Sequence, residues 1–257
     1  MSGKLTGRTA LISGAATGMG RSTAMRFANE GAHVILFGLG GPDLDEAAAL
    51  TGGTAIHGDV TQSSNVERAV DACDGRLDIV VNAAGIILLD EPETVSDESW
   101  EKSFAVNLTG AMKVCRAALP LLKRQGGAIV NIASVAAFNA SPANAAYAAS
   151  KAGLVSLTRT LAYAHGADGI RANAVAPGWV RTPMSEYEMV EAARANGTTP
   201  EDEFTQLTSR IALKRVAEPD EIAACCLFLA SDDASFVTGT VLVADGGGRS
   251  PTQNRAV

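Results

Sequence analysis

The chain has no cysteine pair at CxxC spacing and no histidine pair at metal-binding spacing. Its four cysteines, Cys73, Cys115, Cys225 and Cys226, therefore signal neither a zinc site nor a redox motif. Buried free thiols in a reducing compartment are the expectation for them. His33, His57 and His165 are assigned to structure, and no metal is expected. No segment reaches the ~20 apolar residues of a spanning helix, and "MSGKLTGRTALISGAATG" lacks a signal-peptide layout. A cytoplasmic protein without a membrane partner is the expectation. Positive charge is in deficit, with 21 Lys and Arg against 28 Asp and Glu and a net charge of −7. That argues against a nucleic-acid partner, because phosphate binding wants a basic surface. Proline is scarce at 9 residues while glycine reaches 26, a balance that suggests tight turns and close backbone approaches rather than disorder. There is no internal repeat or long linker, so the 257 residues read as a single domain (1–257) with a core large enough to need no staples.

Short apolar runs alternate with helical patterns along the chain. Strands are expected at 8–13, 33–37, 54–60, 77–85, 127–134, 170–178 and 238–247. A helix follows the first run, with Ala24, Phe27 and Ala28 on one face and Gly31 closing it. Others are expected at "SNVERAVDAC", across a long region from Trp100 to Gln125, and from Ala145 to His165. The strands are near-continuous apolar runs, which marks a parallel sheet covered on both faces. The implied fold is α/β, a doubly wound parallel seven-stranded sheet of Rossmann type. The segment from Arg181 to Lys214 interrupts the alternation. It is polar and helix-poor by pattern, and it is either a substrate lid beyond the strand ends or a surface excursion. The tail "RSPTQNRAV" is expected to be disordered or to cap a neighbour.

"SGAATGMG" leaves the first strand and opens a helix. Gly14, Gly18 and Gly20 allow a tight turn and close approach of backbone to a phosphate, and the helix start behind them offers free N–H groups. The spacing is GxxxGxG rather than GxGxxG. "GDV" (Gly58–Val60) and "NAAG" (Asn82–Gly85) end two further strands; alone they read as turn chemistry. Ser134 ends the fifth strand. Tyr147 and Lys151 stand at i and i+4 in a helix, so phenol and amine share one face. A phenol titrating near ~10 is a poor acid or base at neutral pH, and a nearby ammonium favours the phenolate. A proton-transfer site results, with Ser134 placed to bond the same substrate oxygen.

The ordered set "SGAATGMG", "GDV", "NAAG", Asn107 in "FAVNLTG", Ser134 in "NIAS", "YAASK" and "APGWVRT" resembles the short-chain dehydrogenase/reductase family over nearly the whole chain. The resemblance implies a tetrad of Asn107, Ser134, Tyr147 and Lys151. In it Tyr147 is the general acid/base, Ser134 polarises the substrate oxygen, and Lys151 lowers the Tyr147 pKa and holds the nicotinamide ribose. Asn107 binds a water that links Lys151 to solvent. It further implies a dinucleotide held by Gly14, Gly18, Met19 and Gly20 at the pyrophosphate, and by Asp59 and Val60 at the adenine. Asn82, Ala83 and Gly85 would line the ribose side, and Pro177, Gly178, Val180 and Thr182 would lie at the carboxamide end. The implied activity is NAD(P)-dependent interconversion of a secondary alcohol and a ketone. Acyl-carrier-protein reduction and a non-catalytic dinucleotide sensor are the alternatives.

The positions that choose between cofactors are occupied by Gly38 and Leu39. Neither an acidic group for the ribose 2′-OH nor a cation for a 2′-phosphate stands there. NAD is expected, with NADP the open alternative. Val135, Ala136, Phe138, Asn144 and the 181–214 segment are expected to form the pocket for a small alcohol or ketone, with Arg181 and Arg194 its clearest cations. The family further implies a homotetramer built through the helices 100–125 and 145–165.

Overall fold

The computed structural model describes residues 3–139 and 143–248; the tail Arg249–Val257 lies outside the described residues. Seven strands form one sheet: β1 (Thr9–Ser13), β2 (His33–Gly38), β3 (Thr54–His57), β4 (Ile79–Asn82), β5 (Gly127–Ile132), β6 (Ile170–Pro177) and β7 (Val241–Ala244). Their order is β3-β2-β1-β4-β5-β6-β7, and every pairing is parallel. The expected strands are all present, though most stop short of the residues that follow them. Those flanking residues instead form the turns that carry function.

The helices are α1 (Gly18–Asn29), α2 (Pro42–Thr51), α3 (Ser63–Asp71), α4 (Asp97–Phe104), α5 (Ala111–Leu122), α6 (Ala145–His165), α7 (Pro183–Asn196), α8 (Pro200–Thr208) and α9 (Pro219–Ala230). Alternate strand residues point to opposite sides. Ala10, Ile12, Leu36 and Val81 pack beneath α1, α2 and α9, while Leu11, Ile35, Phe37 and Val80 pack beneath α3, α5 and α6. Both faces are therefore dry, and the unbroken apolar runs follow from that.

Three sequence readings need correction. The long helix at 100–125 is interrupted: α4 and α5 are joined by a π-turn over Ala105–Gly110. The 181–214 segment is not helix-poor. Thr182 and Thr199 each start a helix with a reciprocal capping box, worth about 1 kcal/mol apiece. Their apolar side, Met189 and Phe204, closes on Val216 and Trp179. Helices α2 and α9 were not legible as such. α2 begins directly after Gly40 and Gly41. α9 is apolar on nearly all sides, so its sequence shows no amphipathic stripe; it packs against α1 and strands β5 and β6.

Strand order reverses between β1 and β4. The strand ends there diverge and leave a crevice, which is where open α/β sheets place ligands.

Candidate active site

The crevice begins at the glycine turn. Gly14 has φ +68°, and a Cβ there would lie 2.5 Å from the Ala84 backbone nitrogen. A Cβ on Gly20 would lie 2.1 Å from the Gly14 carbonyl. Only glycine lets α1 start this close to the β1 turn. Gly18, at φ +53°, faces the Thr182 side chain, with its would-be Cβ 3.3 Å from Cγ2. Beside this turn runs a cleft of ≈ 410 Å³ that reaches Gly38, Leu39, Asp59 and Val60 at one end and Gly85 and Met184 at the other. The Asp59 carboxylate is held by the Thr61 backbone N–H at 2.8 Å, which fixes the loop after β3. Lys102, on α4, is a lining cation that the sequence reading did not identify.

A second cavity of ≈ 420 Å³ opens at the other side of Met19, Thr182 and Met184, which line both spaces. Ser134, Tyr147, Pro177, Gly178 and Val180 stand on its wall. The predicted dinucleotide and substrate spaces thus adjoin at these three residues, and Tyr147 lines the second of them.

The geometry around Tyr147 comes from α6 and from the π-turn. Lys151 is buried, its Nζ lies 5.7 Å from the Tyr147 ring centroid, and it donates to the Ile132 carbonyl at 2.9 Å. Burial lowers the Lys151 ammonium to about 8. Burial also raises the Tyr147 phenol to about 12, with a hydrogen bond to Ser134 acting in the opposite direction. Part of the Tyr147 surface still faces the cavity, but enough protein surrounds its hydroxyl for desolvation to dominate. The expected lowering of the phenol by Lys151 is not seen: burial is the largest influence on it and raises it, so the phenol is protonated at neutral pH. The Ser134 hydroxyl accepts from the Ala136 backbone N–H at 3.1 Å, which fixes its direction at the end of β5.

Asn107 sits in the π-turn and is fully buried. Its Oδ1 accepts from Ile86 N at 2.8 Å, and its Nδ2 donates to Ile86 O and Ser150 Oγ, each at 3.0 Å. Its amide is thus spent on protein groups and braces the loop after β4. A Cβ on Gly85 would lie 3.3 Å from Lys151 Nζ and 3.4 Å from Asn107 Oδ1, so this glycine keeps the cleft wall thin where both residues approach it.

Other expected positions divide. Ala83 and Gly85 line the first cleft. The Asn82 side chain turns into the core, where its Nδ2 donates to Asn131 Oδ1 at 2.8 Å. Asn131 in turn donates to Thr158 at 2.8 Å, so this amide ties β4 to β5 and α6 and faces no cleft. Val135, Ala136 and Asn144 line the second cavity, but Phe138 packs on Ala133, Val155 and Ala174 instead. Arg181 lies 4.4 Å over the Phe204 ring, and Arg194 pairs with Glu191 at 2.7 Å; neither lines that cavity. Its charged residues are Glu188 and Arg210, which α7 and the turn after α8 bring in. Missing α7 and α8 in the sequence hid both.

The cysteines are free, as expected, and burial holds Cys115 and Cys226 up at about 12, as inert thiols. Among the described residues no helix is long and apolar enough to cross a membrane, and no cluster of ligating side chains could hold a metal.

Comparison with known proteins agrees with this arrangement. A family model described as enoyl-(acyl carrier protein) reductase matches residues 14–248. A solved structure from Burkholderia xenovorans, described as a short-chain dehydrogenase/reductase, is 38% identical, with TM-score 0.88 over 95% of this chain and 97% of the other. The chain belongs to the short-chain dehydrogenase/reductase family. A further relative is oxidoreductase UcpA of Salmonella typhimurium, 40% identical over 97% of each chain. Carveol dehydrogenase from Mycobacterium avium, solved in complex with NAD, has TM-score 0.91 and 33% identity, covering 95% of this chain and 98% of that one. The protein is thus an oxidoreductase acting on CH–OH groups, and its glycine cradle fits a nicotinamide dinucleotide.

Proposed function

We propose that the protein is an NAD-dependent oxidoreductase that interconverts a small secondary alcohol and its ketone, with Tyr147 as general acid/base. The observation that carries this reading is the junction at Met19, Thr182 and Met184, where a glycine-cradled cleft meets a cavity walled by Tyr147 and Ser134. When bound, the nicotinamide supplies or accepts the hydride. The chain does the rest. Ser134 orients the substrate oxygen, and Tyr147 gives it a proton in reduction or takes one in oxidation. Lys151 supplies a buried amine beside the phenol, and Asn107 holds the loop that faces it. The helices over 181–214 cover the cavity as its lid.

NAD is favoured over NADP because Gly38 and Leu39 offer no cation at the far end of the cleft, and Arg21 is engaged with Glu46 at 3.1 Å. The acyl-carrier reading has less support. Of the two basic stretches that could meet an acidic carrier, "LKRQ" (Leu122–Gln125) has Lys123 paired with Asp168, and "LKR" (Leu213–Arg215) has Arg215 paired with Glu221. A cytoplasmic setting suits four free thiols. Homotetramer assembly suits the outward Tyr163 on α6, which is 96% exposed.

Mixing the protein with reduced NAD or NADP and a panel of ketones tests the reading. Near-ultraviolet absorbance should fall faster with NADH. Tight cofactor binding without any fall would favour the sensor instead.

A further inference from the structure

The second cavity holds polar groups that the reaction does not use. Glu188 lines it, and among the described residues its carboxylate takes part in no hydrogen bond or ion pair. Asn139 and Asn144 line it too, and their Oδ1 atoms are buried with no hydrogen-bond partner. The two amide oxygens are closed off from the open space, so the unpaired acceptor on the wall near Tyr147 is the Glu188 carboxylate. Buried polar groups are costly unless hydrogen-bonded. A ligand that brings a hydroxyl hydrogen to the wall would satisfy Glu188.

We propose that Glu188 is a specificity-determining residue: it selects neutral polyols, with a further hydroxyl on a carbon next to the reacting carbinol, over hydroxy acids. The inference rests on the carbinol oxidoreductase reading above. A hydroxyl can donate a hydrogen bond, so it matches an unpaired carboxylate. A substrate carboxylate accepts only, and it would set a second negative charge in the cavity with Glu188. Glu188 is near enough to Tyr147 for its charge to raise the phenol, and burial alone raises Glu188 itself to about 7. Among the described residues no cation forms an ion pair with it. The lining cation Arg210 is exposed and makes no ion pair with Glu188. Its pull on an acid is screened by water.

Trp179 lies on the cavity wall and gives a binding signal that needs no turnover. Its fluorescence would be titrated, with and without saturating NAD, using a four-carbon vicinal diol, the matching secondary alcohol and the matching hydroxy acid. In the wild type the diol should bind about tenfold tighter than the alcohol, the scale of one charge-assisted hydrogen bond, and the acid should bind weakest. Glu188→Gln, which keeps the shape, should bring the diol to within about threefold of the alcohol and strengthen the acid; Glu188→Ala should act in the same direction. A diol-to-alcohol ratio unchanged in Glu188→Gln would overturn the proposal. So would a wild-type preference for the acid that vanishes in Arg210→Gln, or no response to the diol. The same three compounds, assayed for turnover with both nicotinamides, separate the two readings. If none is turned over while the binding ratios shift as stated, the reaction assignment fails and the role of Glu188 stands. Turnover with unshifted ratios has the opposite meaning.

Discussion

Asn107 grips Ile86 by both ends of its backbone, accepting from its N–H at 2.8 Å and donating to its carbonyl at 3.0 Å. The π-turn at Ala105–Gly110 carries the amide to that loop. Asn107→Ala would leave the part-buried Ile86 N–H and C=O without this partner and remove the donor to the Ser150 hydroxyl, which keeps its bond to the Tyr147 carbonyl. We expect a loss of about 2–4 kcal/mol by urea unfolding, with cofactor affinity falling as the loop after β4 loosens. A variant as stable as wild type would show that the clamp is dispensable.

Gly85 is the thin wall over Lys151. Gly85→Ala places a methyl 3.3 Å from Nζ and 3.4 Å from Asn107 Oδ1, contacts tight enough that one side must shift. Turnover should fall by about tenfold or more while the melting temperature changes little. Unchanged kinetics would mean that Lys151 moves aside freely.

Tyr147→Phe removes the proton donor but keeps the ring. Turnover should drop by about 10²–10⁴-fold, with dinucleotide affinity retained, as read by equilibrium binding. Survival of turnover would remove Tyr147 from proton transfer.

Glu188 has a stability signature of its own. Its carboxyl is raised from 4.5 to about 7 by burial. Between those values the folded chain keeps a proton that the unfolded chain has released, so stability falls as pH rises through the window, and the loss is complete above about 7. Glu188→Gln should therefore be more stable than wild type at pH 8, by about 1–3 kcal/mol, and the gap should close towards pH 5. A gap equal at both pH values would show that the carboxyl is not desolvated.

Leu39 stands 81% exposed on the lining of the dinucleotide cleft. Leu39→Asp should raise the NAD-to-NADP preference, and Leu39→Arg should lower it by about tenfold through a charge-assisted bond to the 2′-phosphate. Competitive cofactor kinetics would read both. If neither variant moves the ratio, the discriminating contact lies elsewhere.

Much of this was legible from the residues themselves. Short apolar runs ending in turn residues and alternating with helical patterns pointed to strands buried on both faces, so the seven parallel strands were legible from pattern. Gly14 and Gly20 implied a close-packed turn, and the i, i+4 spacing of Tyr147 and Lys151 put phenol and amine on one face because a helix has a fixed period. What pattern could not reach depended on partners distant in sequence. α9 shows no stripe because its outer side, at Ala224, Cys225 and Phe228, is apolar as well as its buried side. Asn82 looks like Asp59, a polar residue closing a strand, yet one braces the core and the other lines a cleft. The Tyr147 phenol also departs from local expectation: desolvation by the surrounding walls is the largest influence on it, and it raises the phenol. Glu188 and Arg210 enter the cavity only because two capped helices fold back over it. Chain-local periodicity and steric need were written in the sequence. Which side chains face which space, and how dry that space is, were decided by tertiary packing, since burial and long-range contact are properties of the assembled layers.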